Sequence, residues 1–255
     1  MDAPVLQGLW DWVRAGQEDI LLSPYLPASY ALLTHVLLCA PFLALDAAGS
    51  VSARVRGWRI AAGSGPPPSL RSWLDCFGRV LFKYALAILP ATALVQPLLR
   101  RGAELPPRAP SCRRLCAELA ACCLLFDAFV FVWHYYLHRV PWLYRRIHQQ
   151  HHKHRIPFAL AAQDASSAEL LSLMLLALGS AWLLGCHPLS ELLFHLLNSW
   201  LAVEDHCGYN LPRPLSILGG APHHQTHHIH PNTNYAPYFT HWDRLFGTYR
   251  ASVVR

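Results

Sequence analysis

The sequence has few charged residues. Asp, Glu, Lys and Arg together make up only 14% of the 255 residues, whereas hydrophobic residues make up 53%. Because soluble proteins carry about 25% charged residues, this composition favours an integral membrane protein. The net charge is +6. Because the arginines lie beside apolar stretches, this excess of positive charge is better explained by binding to anionic lipid headgroups than to nucleic acid.

Several common motifs are absent. The eight cysteines form no CxxC pair, and most lie in or beside apolar runs, so neither a disulfide framework nor a zinc ribbon is expected. The first twenty residues carry four acids and lack the basic start of a cleavable signal peptide. The sequence has neither a Rossmann glycine pattern nor a haem-type cysteine motif, so electrons for any redox chemistry would come from a partner.

Long apolar runs are present instead, and they predict an all-α fold, a polytopic membrane bundle. The runs cover residues 26–48, 77–99, 117–137 and 170–203. Pro90 predicts a kink in the second run. The sequence "GCHP" at 185–188 interrupts the last run, which predicts two short helices joined as a hairpin.

The distribution of charge indicates an orientation. The acidic N-terminus suggests the non-cytosolic side, and the basic segments 54–71 and 139–155 are then cytosolic. A four-helix count puts the arginines of 100–114 outside, against the positive-inside rule. If all histidine clusters build one site, the chain crosses the membrane an even number of times between His152 and His224, and the hairpin provides those crossings.

Histidine is abundant, with 16 residues, and three spaced groups stand out. They are His134 and His138; His148, His151 and His152; and His224, His227 and His228. On a helix, positions i, i+3 and i+4 share a face, so each group can direct its imidazoles at a common point. His206 is a ninth candidate ligand.

Nine imidazoles exceed the needs of one ion, but they suit two ions with four or five ligands each. Imidazole binds Zn, Cu, Fe and Ni, whereas a structural zinc site closes with four ligands and favours cysteine. Asp127 precedes His134 by seven residues; it either accepts a hydrogen bond from a ligand N–H or bonds to a neighbouring helix.

The other histidines carry weaker hypotheses. His35, His187 and His241 are expected to pack or cap, and His195 faces either the metals or the bundle. Three lie next to the boxes and could support the ligands: His154, His223 and His230. Aromatic residues flank the first box and form either a substrate pocket or an interfacial belt: Trp133, Tyr135, Tyr136, Trp142 and Tyr144.

The boxes "HYYLH", "HQQHH" and "HQTHH" resemble those of the fatty acid hydroxylase and sterol desaturase superfamily. The segments "FVWHYYLHRVPWLYRRIHQQHH", "LLGCHPL", "VEDHCGYN" and "APYFTHWDRLFGTYR" extend the resemblance over residues 124–249. Within the superfamily, the sequence is most similar to members that hydroxylate cholesterol at side-chain carbon C25. The resemblance implies a catalytic region at 117–255, preceded by an N-terminal membrane region at 1–116 with two apolar helices and linkers.

The resemblance also implies a di-iron monooxygenase of the endoplasmic reticulum membrane, with its active site facing the cytosol. Such an enzyme takes its sterol from the membrane lipid and uses O₂ with electrons from cytochrome b5 or its reductase. Carried over residue by residue, it makes eight histidines catalytic and iron-binding, with His206 as a further ligand. The eight are His134, His138, His148, His151, His152, His224, His227 and His228.

Two alternatives remain open. The first is a C4-methylsterol or fatty-acid oxidase of the same superfamily, because these enzymes carry similar boxes. The second is a non-enzymatic metal-binding or transporting membrane protein. A transporter would place polar residues along several helices, whereas these histidines gather at helix ends and in loops, which favours an enzyme.

Overall fold

This computed structural model describes residues 4–60, 66–99, 104–212 and 217–252. Over these residues the chain is helical and has no β-sheet, only two isolated β-bridges. The main helices are α1 Pro4–Arg14, α2 Leu26–Val51, α3 Leu70–Leu99, α4 Cys112–Arg139, α5 Ser167–Leu184, α6 Pro188–His206, α7 Gly220–Ile229 and α8 His241–Leu245. The predicted all-α fold is confirmed.

Within the described ranges, four helices are long and apolar enough to cross a membrane: α2, α3, α4 and α5. Only 22–39% of the most apolar window of each is buried in the protein. Several of their leucines, such as Leu37 and Leu94, are exposed and would face lipid. Because lipid is as apolar as the protein interior, close contact rather than the hydrophobic effect holds such helices together.

The second span contains a π-helical turn at Tyr84–Ile88, immediately before Pro90. Proline lacks an N–H, and its ring clashes with the carbonyl four residues earlier, so a wider turn accommodates it within a continuous helix. The irregularity therefore lies where Pro90 predicts a kink.

The predicted hairpin is present. Helix α5 ends at Gly185, whose φ of 60° is left-handed and suits glycine. Helix α6 then begins with Pro188 in its first turn, and the Nδ1 of His187 accepts a hydrogen bond of 3.0 Å from the Leu189 N–H. Helix α6 packs against α2, α4 and α7, and its residues Phe194 and Val203 are fully buried.

The two ends of the helical bundle are formed by different segments of the chain. At one end, α2 meets the start of α3, where the indole of Trp73 donates to Asp46 over 3.1 Å. At the other end, the hairpin turn contacts the segment before α4, where the His187 Nε2–H donates to the Arg108 carbonyl over 3.0 Å. The histidine boxes lie at the first end, so the described part of the arginine-rich 100–114 stretch lies at the opposite one.

Candidate metal centre

The structure brings all nine candidate histidines into two adjacent groups. In each group, the candidate ligand atoms lie within 4.8 Å of one another. The five-histidine group contains His134, His138, His148, His152 and His227. The four-histidine group contains His151, His206, His224 and His228. The groups touch, since the ring centroids of His152 and His228 are 4.7 Å apart.

The helical spacing predicts that each box directs its imidazoles at one place, but among the three boxes only the first does so. Positions i and i+4 do stay together, as in the pair His224 and His228 on α7. The i+3 residue of that box, His227, turns to the five-histidine group instead. The second box divides in the same way, although it folds as a π-turn followed by a 3₁₀ turn rather than as one α-helix. Both groups therefore share the same two segments.

Acceptor groups fix the protonation of four imidazoles. A carbonyl oxygen can only accept, so the Nδ1–H of His134 donates to Tyr235 O over 2.7 Å, and that of His227 donates to Thr233 O over 2.7 Å. His206 donates in the same way to Ala202 O over 2.8 Å, and His148 donates to the Glu169 carboxylate over 2.8 Å. In the neutral ring, the Nε2 of each then carries a lone pair.

These lone pairs face other imidazoles in the five-histidine group. The Nε2 of His148 lies 3.0 Å from the Nε2 of His134 and 3.0 Å from that of His152. The His152 and His227 Nε2 atoms are also 3.0 Å apart. Two lone pairs at this distance repel unless a cation lies between them. Ligands about 2.1 Å from one metal ion and at right angles to each other are about 3.0 Å apart, so the spacing fits a shared ion.

The four-histidine group has the same spacing. His206 Nε2 lies 3.2 Å from His151 Nε2 and 2.9 Å from His224 Nε2, and His224 Nε2 lies 3.1 Å from His228 Nε2. The residues of both groups thus fit metal ions by donor type and by distance.

Burial keeps these imidazoles neutral. It lowers the pKa of the six histidines of the centre that belong to the second and third boxes, and nearby histidines lower it further. For His152 the pKa falls to about 3. A neutral imidazole is the form that binds a metal ion.

The helical spacing alone does not reveal the acids that support the boxes. Glu169 orients His148, while the buried Asp243 contacts His223 over 3.2 Å. Asp164, also buried, bonds to Arg79, Lys83 and the second-box segment. Only Glu169 carries a sequence signal: "SSAE" places it three residues after the helix-capping Ser166, at the start of an apolar run.

The structure shows what Asp127 and four of the other histidines contact. Asp127 accepts the backbone N–H groups of Tyr238 and Phe239 over 2.8 and 3.2 Å, so it bonds to a neighbouring segment. His154 supports the second box through Asp164, at 3.0 Å. His35 is buried beside Cys39, His187 caps α6 and His241 packs on Trp242, as packing and capping residues do.

The flanking aromatic residues have mixed roles. Trp133 lines a cavity beside the metal centre, and the ring of Tyr144 packs at a tilt against His138 and His152. Tyr136 and Trp142 are exposed instead, as expected of an interfacial belt.

The cavity beside the metal centre has a volume of about 160 Å³, and it is named the metal-side cavity below. Its walls are mostly apolar, with Val130, Leu137 and Met174 among them. His134, His148 and His206 line it from both histidine groups. A mainly apolar ligand in this cavity would therefore contact the histidine centre.

Together, the fold and the two histidine groups define a polytopic helical membrane protein with a metal-binding centre at one end. Residues 119–248 match the family described as "Fatty acid hydroxylase". The chain is 43% identical to cholesterol 25-hydroxylase of Homo sapiens, over 98% of this chain and 92% of that protein.

Other relatives agree. A cholesterol 25-hydroxylase-like protein of Danio rerio is 42% identical over 95% of this chain and 97% of its own length. One from Caenorhabditis elegans is 32% identical over 95% of this chain and 81% of its own length. No solved structure matches the chain significantly. The chain belongs to the fatty acid hydroxylase family, and it is a hydroxylating oxidoreductase.

Proposed function

We propose that this protein is a membrane-bound sterol monooxygenase that hydroxylates cholesterol at side-chain carbon C25. The observation that carries the proposal is the opening of an apolar cavity onto two groups of converging imidazole nitrogens. The relatives' names supply the substrate and the position: three of them are called cholesterol 25-hydroxylase or a protein like it.

The proposed cofactor is a pair of iron ions, one in each group. The five-histidine group would hold one ion and the four-histidine group the other. Iron in such a site supplies the activation of O₂ needed to oxidise an unactivated C–H bond. The protein residues keep the imidazoles neutral, hold four of the nine rings through Nδ1 acceptors and exclude water with the apolar cavity walls.

The donor of the two electrons is proposed to be cytochrome b5 or its reductase. Exposed arginines lie beside the first and second boxes, at Arg139, Arg145 and Arg146, and give this end of the bundle positive charge. Positive charge flanking membrane helices is typical of the cytosolic side and of contact with anionic lipid. We therefore propose an endoplasmic reticulum membrane protein whose centre faces the cytosol.

The function is tested with a ligand variant. Cells expressing the chain, fed isotope-labelled cholesterol, are expected to produce labelled 25-hydroxycholesterol, detected by mass spectrometry of lipid extracts. His227→Ala removes one imidazole without changing an apolar span, so the protein should remain in the membrane while product falls at least 100-fold. His230→Ala is the matched control, because this histidine is half-buried on the same segment and outside both groups.

Three results would decide against the proposal. The first is product from the His227→Ala protein at the parental rate. The second is a parental protein that oxidises a fatty acid or a C4-methylsterol but not cholesterol. The third is one zinc ion and no iron per chain, measured on protein kept in mild detergent.

A further inference from the structure

His195 lies in the middle of α6, and the sequence leaves its role undecided between the metals and the bundle. In the structure the residue is only 7% exposed. Its Nε2 has no hydrogen-bond partner among the described residues. The nearest acid, Glu191, has its Oε1 at 3.8 Å, beyond hydrogen-bond distance. A buried imidazole nitrogen that stays unsatisfied is costly, which points to a ligand that satisfies it.

The imidazole of His195 stands where two cavities meet. It lines the metal-side cavity and also a second cavity of about 320 Å³ near the opposite end of the bundle. The second cavity lies between helix ends and is lined by Leu26, Tyr30 and Trp182 among others. His195 therefore marks the end of the metal-side cavity that is remote from the histidine centre.

The distance from His195 to the centre is set by one helix. His206 follows His195 by eleven residues on α6, and both line the metal-side cavity. At 1.5 Å per residue, they are separated by about 16 Å along the helix axis. An extended sterol has a similar length between its 3-hydroxyl oxygen and the last branch of its side chain. A sterol whose side chain reaches the metals thus brings its hydroxyl to His195.

Other polar side chains in the metal-side cavity are already engaged or lie elsewhere. Asn198 accepts from the Tyr238 hydroxyl, and Ser199 bonds to Thr34 over 3.2 Å. Gln163 and Glu169 also have an oxygen without a partner in the described structure, but both lie at the metal end, in the turn beside the second box and in the contact with His148. His195 is left as the polar anchor for the remote end of a ligand.

We propose that the Nε2 of His195 binds the hydroxyl group of the sterol substrate and so places its side chain at the metal centre. This inference rests on the proposed function and deepens it, because it names the residue that selects a substrate carrying a sterol hydroxyl group. A buried site that hydrogen-bonds a substrate hydroxyl rejects the analogue that lacks it. His195 is a binding residue here, far from the reacting carbon.

The test compares two sterols that differ only in that hydroxyl group. Purified protein in detergent is titrated with tritiated cholesterol and with tritiated cholest-5-ene, which has hydrogen in place of the hydroxyl. The parental protein should bind cholesterol about tenfold more tightly. His195→Ala should weaken cholesterol binding roughly three- to tenfold and leave cholest-5-ene binding unchanged. His195→Gln, which retains a hydrogen-bonding group, should restore part of the preference.

Leu196→Ala is the control, because Leu196 is the next residue on α6 but is exposed. It should keep the parental preference. Because both sterols are measured on one preparation, partial unfolding lowers both signals and leaves their ratio intact. A His195→Ala protein that keeps the parental tenfold preference for cholesterol, or that loses affinity for both sterols equally, overturns the role of His195. If the parental protein binds cholesterol through His195 but yields no hydroxylated product, the proposed function is contradicted and the role of His195 in binding is not.

Discussion

At the scale of single residues, the centre depends on the groups behind the ligands as much as on the ligands. Backbone carbonyls orient three of the nine histidines, and the Glu169 carboxylate orients a fourth, His148. A ligand whose remote nitrogen is held this way keeps its ring orientation and its tautomer. Glu169 is the one of these groups that mutation can remove.

Replacing Glu169 should weaken metal binding. Glu169→Ala deletes the acceptor of the His148 Nδ1–H, so the ring is free to rotate and its Nε2 no longer points reliably at the ion. Metal affinity should fall about 10–100-fold, read as metal retained per chain after dialysis against graded chelator. Glu169→Gln keeps an acceptor oxygen, so its metal retention should lie between those of the parental protein and Glu169→Ala. Asp75→Asn, an exposed acid on α3, is the control; equal retention by all the proteins would contradict the role.

Single-residue spacing predicts the nine candidate ligands but not what holds them. Repeated HxxHH and HxxxH patterns are visible in the sequence. The carbonyls of Tyr235 and Thr233 are not, because every residue has one and only the path of the chain brings these two to His134 and His227. That path depends on long-range packing rather than on local spacing.

At the scale of elements, apolar length predicts the spans and glycine with proline predicts the hairpin, since both are local properties of the chain. The π-turn and 3₁₀ turn of the second box escape prediction. They replace the α-helical geometry assumed for that box, yet His148 and His152 separate from His151 just as the ligands of the α-helical third box divide. Tertiary contacts of this segment, many of them made to Asp164, impose the irregular geometry.

Asp164 links the second-box segment to α3. The carboxylate is fully buried and contacts Arg79 at 2.6 Å, Lys83 at 3.1 Å and Lys153 at 2.7 Å. Burial alone would raise the pKa of Asp164, but hydrogen bonds from His154, Arg79 and the two lysines outweigh it and hold the pKa well below its usual range. The carboxylate is thus charged and serves as the common counter-ion of two elements.

Asp164→Asn should destabilise the protein and loosen the second box. The amide has no charge to offset the largely buried ammonium of Lys83, so the loss should approach the lower end of the range for a broken buried pair, about 3 kcal/mol. Arg79 and Lys153 are partly solvated and add little. Thermal unfolding in detergent measures the loss, and metal content should fall with it. A variant as stable as the parent would show that Asp164 does not join these elements.

At the scale of the whole molecule, acid should destabilise the fold. The histidines of the second and third boxes have a lower pKa in the folded state than the usual 6.5, and for His152 it is about 3. Because the unfolded chain binds these protons more readily, stability is full above about pH 6.5 and is lost as pH falls below it, towards 3. Each such histidine contributes about 1.4 kcal/mol for every pH unit in that window.

The measurement is the melting temperature of metal-free protein between pH 8 and pH 5. It should be nearly constant down to pH 7 and then fall. The His152→Asn protein should show a shallower fall, because one proton fewer is taken up on unfolding. A melting temperature that rises on acidification would mean that these imidazoles are not buried in the neutral form.

The two histidine groups are interleaved along the chain: the second box and α7 each contribute to both. In the proposed centre, the first ion to bind holds those two segments where the second ion requires them. The conformational entropy lost at the first step is then not lost again at the second. We therefore expect loading to be positively cooperative, so that a titration passes from empty molecules to doubly loaded ones with few half-filled molecules between them.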